Sequence, residues 1–148
     1  MLPARFPAED LAQVRSVVFD DRVDVRGLTT FRGGSCSSDG VITLYAAPPG
    51  LLGLSGEEAT VMRTIGHELG HIAWRRVSEL IHMEWDDMLM RHLGYCESIF
   101  KRYRDLPDRR LRREVFAEAY RDSAFSDPSF IDDYEEIFTF MRDRVIDR

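Results

Sequence analysis

The sequence predicts an α+β fold, and two observations carry that reading. Residues favouring strands concentrate in RVDVRGLTTFR (22–32) and GVITLYAA (40–47), whereas helical periodicity takes over from residue 55 onward. A breaker-rich segment, PPGLLGLSG (48–56), separates the two regimes. A sheet-forming part followed by a run of helices is the α+β arrangement. At 148 residues, with no repeat and no linker, the expectation is one domain over 1–148 that buries a core without staples.

The elements follow in order. AEDLAQVRSVVF (8–19) sets Leu11, Val14 and Val18 at helical spacing, although VRSVVF alone also reads as a strand. The two strand-rich segments flank GGSCSSDG (33–40), which reads as a long turn-forming loop. Ser55 followed by Glu58 forms a capping box, each side chain satisfying an orphan backbone N–H at a helix start. A second helical stretch runs from about Ser78 to Arg104, with a break near Gly94, and a third from Pro107 or Asp108 to about Asp122. The last starts at Asp127–Pro128, an N-cap followed by proline at the first helical position. Its Phe130, Ile131, Tyr134, Ile137, Phe138, Met141 and Val145 make one apolar stripe.

Composition narrows the function classes. The formal net charge of −6 argues against nucleic acid as a partner. No run of about 18 apolar residues is present, so no membrane span or membrane partner is expected. The opening MLPARFPAEDL puts prolines and acids where a signal peptide needs an apolar core. The expected location is cytoplasmic, or exported without a cleavable signal, and the expected state is a monomer. Cys36 and Cys96 are expected to be free thiols.

The chemistry concentrates in TIGHELGHIAW (64–74). Residues four apart share a helical face, so His67 and His71 can grip one ion with two imidazoles. Zinc takes nitrogen, sulfur and oxygen donors in a tetrahedron, and a catalytic site keeps one position for water. Glu68, beside the first histidine, can take a proton from that water, which is the H-E-x-x-H mechanism. The competing readings are chance and a pair of core histidines. At about 100° per residue, Val61, Met62, Ile65, Leu69 and Ile72 gather on one side and the histidines on the other, which disfavours the core reading. Gly66 and Gly70 each cost about 1 kcal/mol in a helix interior. Their presence points to another element packed closely there.

A third ligand has to come from elsewhere. The H-x-x-G-x-x-H extension needs glycine at 74 and histidine at 77, where the chain has Trp74 and Val77. His82 and His92 are alternatives, each alone in a helical stretch. RREVFAEAYRDS (112–123) offers more. Glu114 and Glu118 lie four apart beside the apolar strip of Leu111, Val115 and Ala119. Zinc for Glu114 and a histidine N–H for Glu118 would satisfy both carboxylates. Arg112, Arg113 and Arg121 could neutralise them instead.

H-E-x-x-H followed by a separate glutamate-bearing helix is the gluzincin pattern. EVFAEAYR (114–121) resembles the glutamate helix of the anthrax lethal factor-like metallopeptidases, which include the Pro-Pro endopeptidases. DPSFIDDYEEIFTFMRDRV (127–145) is similar to the closing helix of that family, and the resemblance spans residues 57–146. It implies a zincin-like fold, with a small mixed sheet on the H-E-x-x-H helix and a helical C-terminal half carrying the glutamate helix. It also implies Zn²⁺ on His67, His71 and Glu114, with Glu118 supporting the site and Glu68 as general base. The family's oxyanion-stabilising tyrosine corresponds to Pro107 here, and Tyr103, one turn earlier, is the candidate substitute.

The activity so implied is zinc-dependent endopeptidase cleavage, with a toxin or effector role raised by the resemblance. The expected partner is a protein or peptide substrate added as an extended strand to a sheet edge. GVITLYAA resembles such an edge strand and nominates Ile42, Leu44 and Tyr45 as substrate contacts. Alternatives are an ImmA/IrrE-like regulatory protease and a binding module that keeps zinc without turnover.

Overall fold

The computed structural model describes residues 4–21, 24–26, 30–45, 57–103 and 108–148, without the side chains of 24–26, 30–32, 57–60, 98, 100–103 and 108–109. It is a mixed α+β fold, with the strands before residue 46 and mostly helix after 56. AEDLAQVRSVVF splits into helix α1 (Ala8–Ala12) and strand β1 (Ser16–Asp20), so both readings of that segment hold in part. Strands β2 (Asp24–Arg26) and β3 (Thr30–Arg32) pair as an antiparallel ribbon with Val25 opposite Phe31. The expected long loop contains a strand, β4 (Gly34–Cys36), which turns back through Ser37–Gly40 into β5 (Val41–Tyr45). Gly40 lies at φ +83°, and a Cβ there would stand 2.0 Å from the Gln13 carbonyl oxygen, so glycine is required twice over.

The sheet order β1-β5-β4 corrects one expectation. β5 is the central strand, parallel to β1 (Ser16 beside Val41) and antiparallel to β4 (Cys36 beside Ile42). Its main chain is therefore occupied on both sides and offers no edge to an added strand. Ile42 and Leu44 are core residues, and the Tyr45 hydroxyl lies 3.2 Å from Ser35 Oγ on the neighbouring strand. The burial of Ile42 and Leu44 with their neighbours less enclosed is the period-2 signature of a strand with one face in the core.

Helix α2 (Glu57–Arg76) lies against this sheet, and Leu69, Ile72 and Ala73 share a core with Ile42 and Leu44. Ser55, the expected cap, is outside the described residues. The second helical stretch forms α3 (Glu79–Arg91) and α4 (Leu93–Tyr103). The break falls at His92 (φ −122°, ψ 52°) rather than Gly94. Helix α5 (Asp108–Ala124) packs along α2 and buries Leu111, Val115, Phe116, Ala119 and Tyr120. The Asp127 carboxylate accepts from Ser129 N and Phe130 N to cap α6 (Pro128–Asp133), as expected. The closing stripe breaks at Tyr134, continuing as α7 (Glu135–Met141) and a π-helical turn, Arg142–Ile146. It survives the break: Phe130, Ile137, Met141 and Val145 are all buried. Trp85 is enclosed between Phe116 and Phe140, with ring centroids 5.4 and 5.7 Å away.

The N-terminal helix is fastened by an acid that the sequence reading did not single out. Asp10 is fully enclosed. It accepts from Arg76 Nε at 2.5 Å, Arg76 Nη2 at 3.1 Å and the Tyr120 hydroxyl at 2.7 Å. Among the described residues, no helix is long and apolar enough to cross a membrane. Cys36 and Cys96 are free thiols.

Candidate metal centre

The side of α2 opposite its apolar stripe is roofed by α5 rather than open to solvent. Glycine makes that roof possible. A Cβ on Gly70 would stand 2.6 Å from the Ala117 Cα, so the two helices meet in backbone contact there. On α2, Gly70 projects about 60° to one side of His67, at a height between His67 and His71; on α5, Ala117 stands in the same relation to Glu114 and Glu118. One contact therefore sets a pair of histidines against a pair of glutamates, and the close packing expected from Gly66 and Gly70 is observed.

The ligand atoms converge. Glu114 Oε2 lies 3.0 Å from His67 Nε2 and 3.4 Å from His71 Nε2, and the two imidazole rings stand nearly perpendicular, at 89°. These three residues could together hold a metal ion. Donors about 2.1 Å from a tetrahedral ion stand roughly 3.4 Å apart; the two Glu114 contacts are near that value, and all three ligand atoms lie within 4.8 Å of one another. Two imidazole nitrogens and a carboxylate oxygen suit a borderline cation such as zinc.

Electrostatics agree with a cation at this point. Burial disfavours charge on His67, but Glu114 and Glu118 on its two ring nitrogens outweigh that and push its pKa up to about 9. Burial would likewise raise the Glu114 carboxyl, yet contacts with His67 and His71 hold it well below the usual carboxylate range. The pull that favours a proton on His67 favours a metal cation in the same place. The buried Nδ1 atoms of His67 and His71 alike make no hydrogen bond among the described residues, Glu118 reaching the His67 Nδ1 as a charge contact only.

Glu118 divides its oxygens between two partners. Oε1 lies 3.2 Å from His67 Nδ1, and Oε2 lies 2.6 Å from Arg121 Nη2. Glu118 is thus neutralised by Arg121, one of the sequence readings, and lies beside the His67 ring without a hydrogen bond to it. Arg112, another of the three named neutralisers, is drawn to Asp86.

Glu68 is buried on the sheet side of α2, beneath β4. A Cβ on Gly34 would come within 2.7 Å of Thr64 Cγ2 and 3.2 Å of Glu68 Oε1. Gly34 thus leaves the carboxylate its room, a role no sequence pattern indicated.

The remaining candidates are placed elsewhere. His82 stacks on Trp74 with centroids 4.0 Å apart, and its Nε2 is bonded to the Trp74 carbonyl at 2.9 Å. His92 Nε2 meets Glu136 at 2.7 Å. Neither joins the cluster. Tyr103 ends α4, but its side chain and Pro107 lie outside what is described. No protein family, curated protein or solved structure matches the chain, so the site stands on its own geometry.

Proposed function

We propose that the chain is a zinc-dependent endopeptidase of the gluzincin type, akin to the lethal factor-like metallopeptidases and with their zincin-like fold. The observation that carries this reading is the convergence of His67 Nε2 and His71 Nε2 on Glu114 Oε2 from two helices in backbone contact. Bound zinc would supply Lewis acidity, lowering the pKa of a water and polarising the scissile carbonyl.

The chain's own residues do the rest. Glu68, beside the first ligand in sequence and buried against β4, accepts the water proton and returns it to the leaving amine. Glu118 keeps the His67 ring turned toward the site. Tyr103 is the proposed donor to the oxyanion. An extended substrate would add to β4 rather than β5, since β4 is the outer strand lying over Glu68.

Cleavage of a diverse peptide library by the parent and by Glu68→Gln, with zinc content measured in both, tests the reading. The expected result is turnover lower by roughly 10²–10⁴-fold in Glu68→Gln at unchanged zinc. A parent that holds zinc and cleaves no peptide would replace the enzyme with a zinc-retaining binding module.

A further inference from the structure

We infer that Arg121 is a positioning residue of the metal centre, acting through Glu118 on the ligand ring of His67. The inference rests on the reading of His67, His71 and Glu114 as a zinc site, and it adds a residue that neither binds the ion nor touches a ligand.

Three observations carry it. First, Arg121 holds the Glu118 oxygen that His67 does not use: Oε2 faces Arg121 at 2.6 Å while Oε1 faces His67 at 3.2 Å. A carboxylate gripped at one oxygen cannot turn about its last torsion, so the other oxygen keeps its place beside the ring. Second, Arg121 is itself fixed. Its Nε donates to Asp122 Oδ1 at 2.8 Å. Asp122 is held by Arg63 Nη2 at 2.7 Å, and Arg63 reaches on to Asp127 at 3.3 Å. A planar guanidinium can serve Glu118 and Asp122 at once, which a lysine ammonium on a flexible stem does less well. Third, the path of the arginine explains Gly66. A Cβ there would stand 3.2 Å from Arg121 Cγ and 2.8 Å from the Phe125 ring. The stem of Arg121 thus runs over α2 at the residue preceding His67, where a side chain would crowd it.

The pair is also well enclosed, with side-chain exposure of 13% for Arg121 and 5% for Glu118. Exposed ion pairs contribute little. Inside the protein, removing one partner leaves the other charge to find a new arrangement. For Glu118 that rearrangement happens beside a metal-ligating ring.

Zinc affinity of the full chain, measured by competition with a chromophoric chelator, tests this, alongside the visible spectrum of the cobalt-substituted protein. Arg121→Met is expected to weaken zinc binding by roughly 10–100-fold and to shift the cobalt bands, as losses behind a ligand do. Arg121→Lys should recover part of both. In a Glu118→Gln background, adding Arg121→Met should change neither any further. Parent affinity and spectrum in Arg121→Met, even at a lowered Tm, would reduce Arg121 to a structural residue. A full further loss in the Glu118→Gln background would show that it does not act through Glu118. If Arg121→Met alone does not fold, Arg121→Lys is read in its place, a weakened zinc affinity with shifted cobalt bands supporting the inference and parent values of both overturning it. A parent that binds no zinc overturns the underlying reading, and this inference with it.

Discussion

Two clusters of buried charge lie along α2 and α5, the first centred on Asp10 from α1, and they are built to different ends. Near the C-terminal end of α2, Asp10 is met by a two-pronged Arg76 and by the Tyr120 hydroxyl. One buried negative charge faces one positive charge, which also donates to the Val145 carbonyl at 2.9 Å and reaches the exposed Glu9 at 3.7 Å. Burial and the Asp10 carboxylate hold the Tyr120 hydroxyl far above its usual range, so it remains a donor. In the middle of α2 the pattern is open. Glu68, Glu114 and Glu118 surround two imidazoles, and three ligand atoms face one another across a few ångströms. A closed pair is a tether, whereas three ligand atoms facing one another could hold a metal ion. Both clusters draw on α2 and α5, and the first adds an acid from α1.

Substitutions can break this contrast. The largest effect is expected from Glu114→Ala, which removes one of three ligands. Zinc affinity should fall on the order of a thousandfold, read by chelator competition, while thermal unfolding measured in chelator changes little by comparison. Equal zinc affinity would move the third ligand to another residue.

Asp10→Asn should do the reverse. It leaves the Arg76 guanidinium half-partnered and is expected to lower the unfolding free energy by about 3 kcal/mol in urea titration, with zinc affinity unchanged. A matching loss of zinc binding would mean that the clusters are coupled rather than separate.

Gly70→Ala is the smaller change and should move both properties together. A methyl 2.6 Å from the Ala117 Cα must part the helices. Overpacking of this kind costs about 1–3 kcal/mol, and it also draws Glu114 away from the histidines. Lost stability with zinc affinity intact would show that the ligands do not depend on this contact.

The site was more legible than the fold around it. The four-residue spacing of His67 and His71 and the matching spacing of Glu114 and Glu118 are local facts, readable from helical period alone. Gly66 and Gly70 were legible as anomalies: their position announced close packing, but not that the neighbours would be Ala117, Phe125 and Arg121. What stayed hidden depends on long-range partners. Gly-Ser-Cys has no strand propensity of its own, and β4 exists because β5 pairs with it and α2 supports it. The central place of β5 follows from β1 pairing with it from 25 residues away, Ser16 beside Val41. Asp10 read as an ordinary acid in a first helical turn, because its partners lie 66 and 110 residues further along.

The contact between Gly70 and Ala117 has one more consequence, for ion selection. Donor atoms 3.0 and 3.4 Å apart suit bonds near 2.1 Å. Calcium, with bonds of about 2.3–2.6 Å and a preference for oxygen, asks for a wider cage. The helices cannot come closer than their backbones already are, and the packed core behind each resists their parting. For an ion held here, a residue with no side chain would therefore act as the gauge of ionic radius.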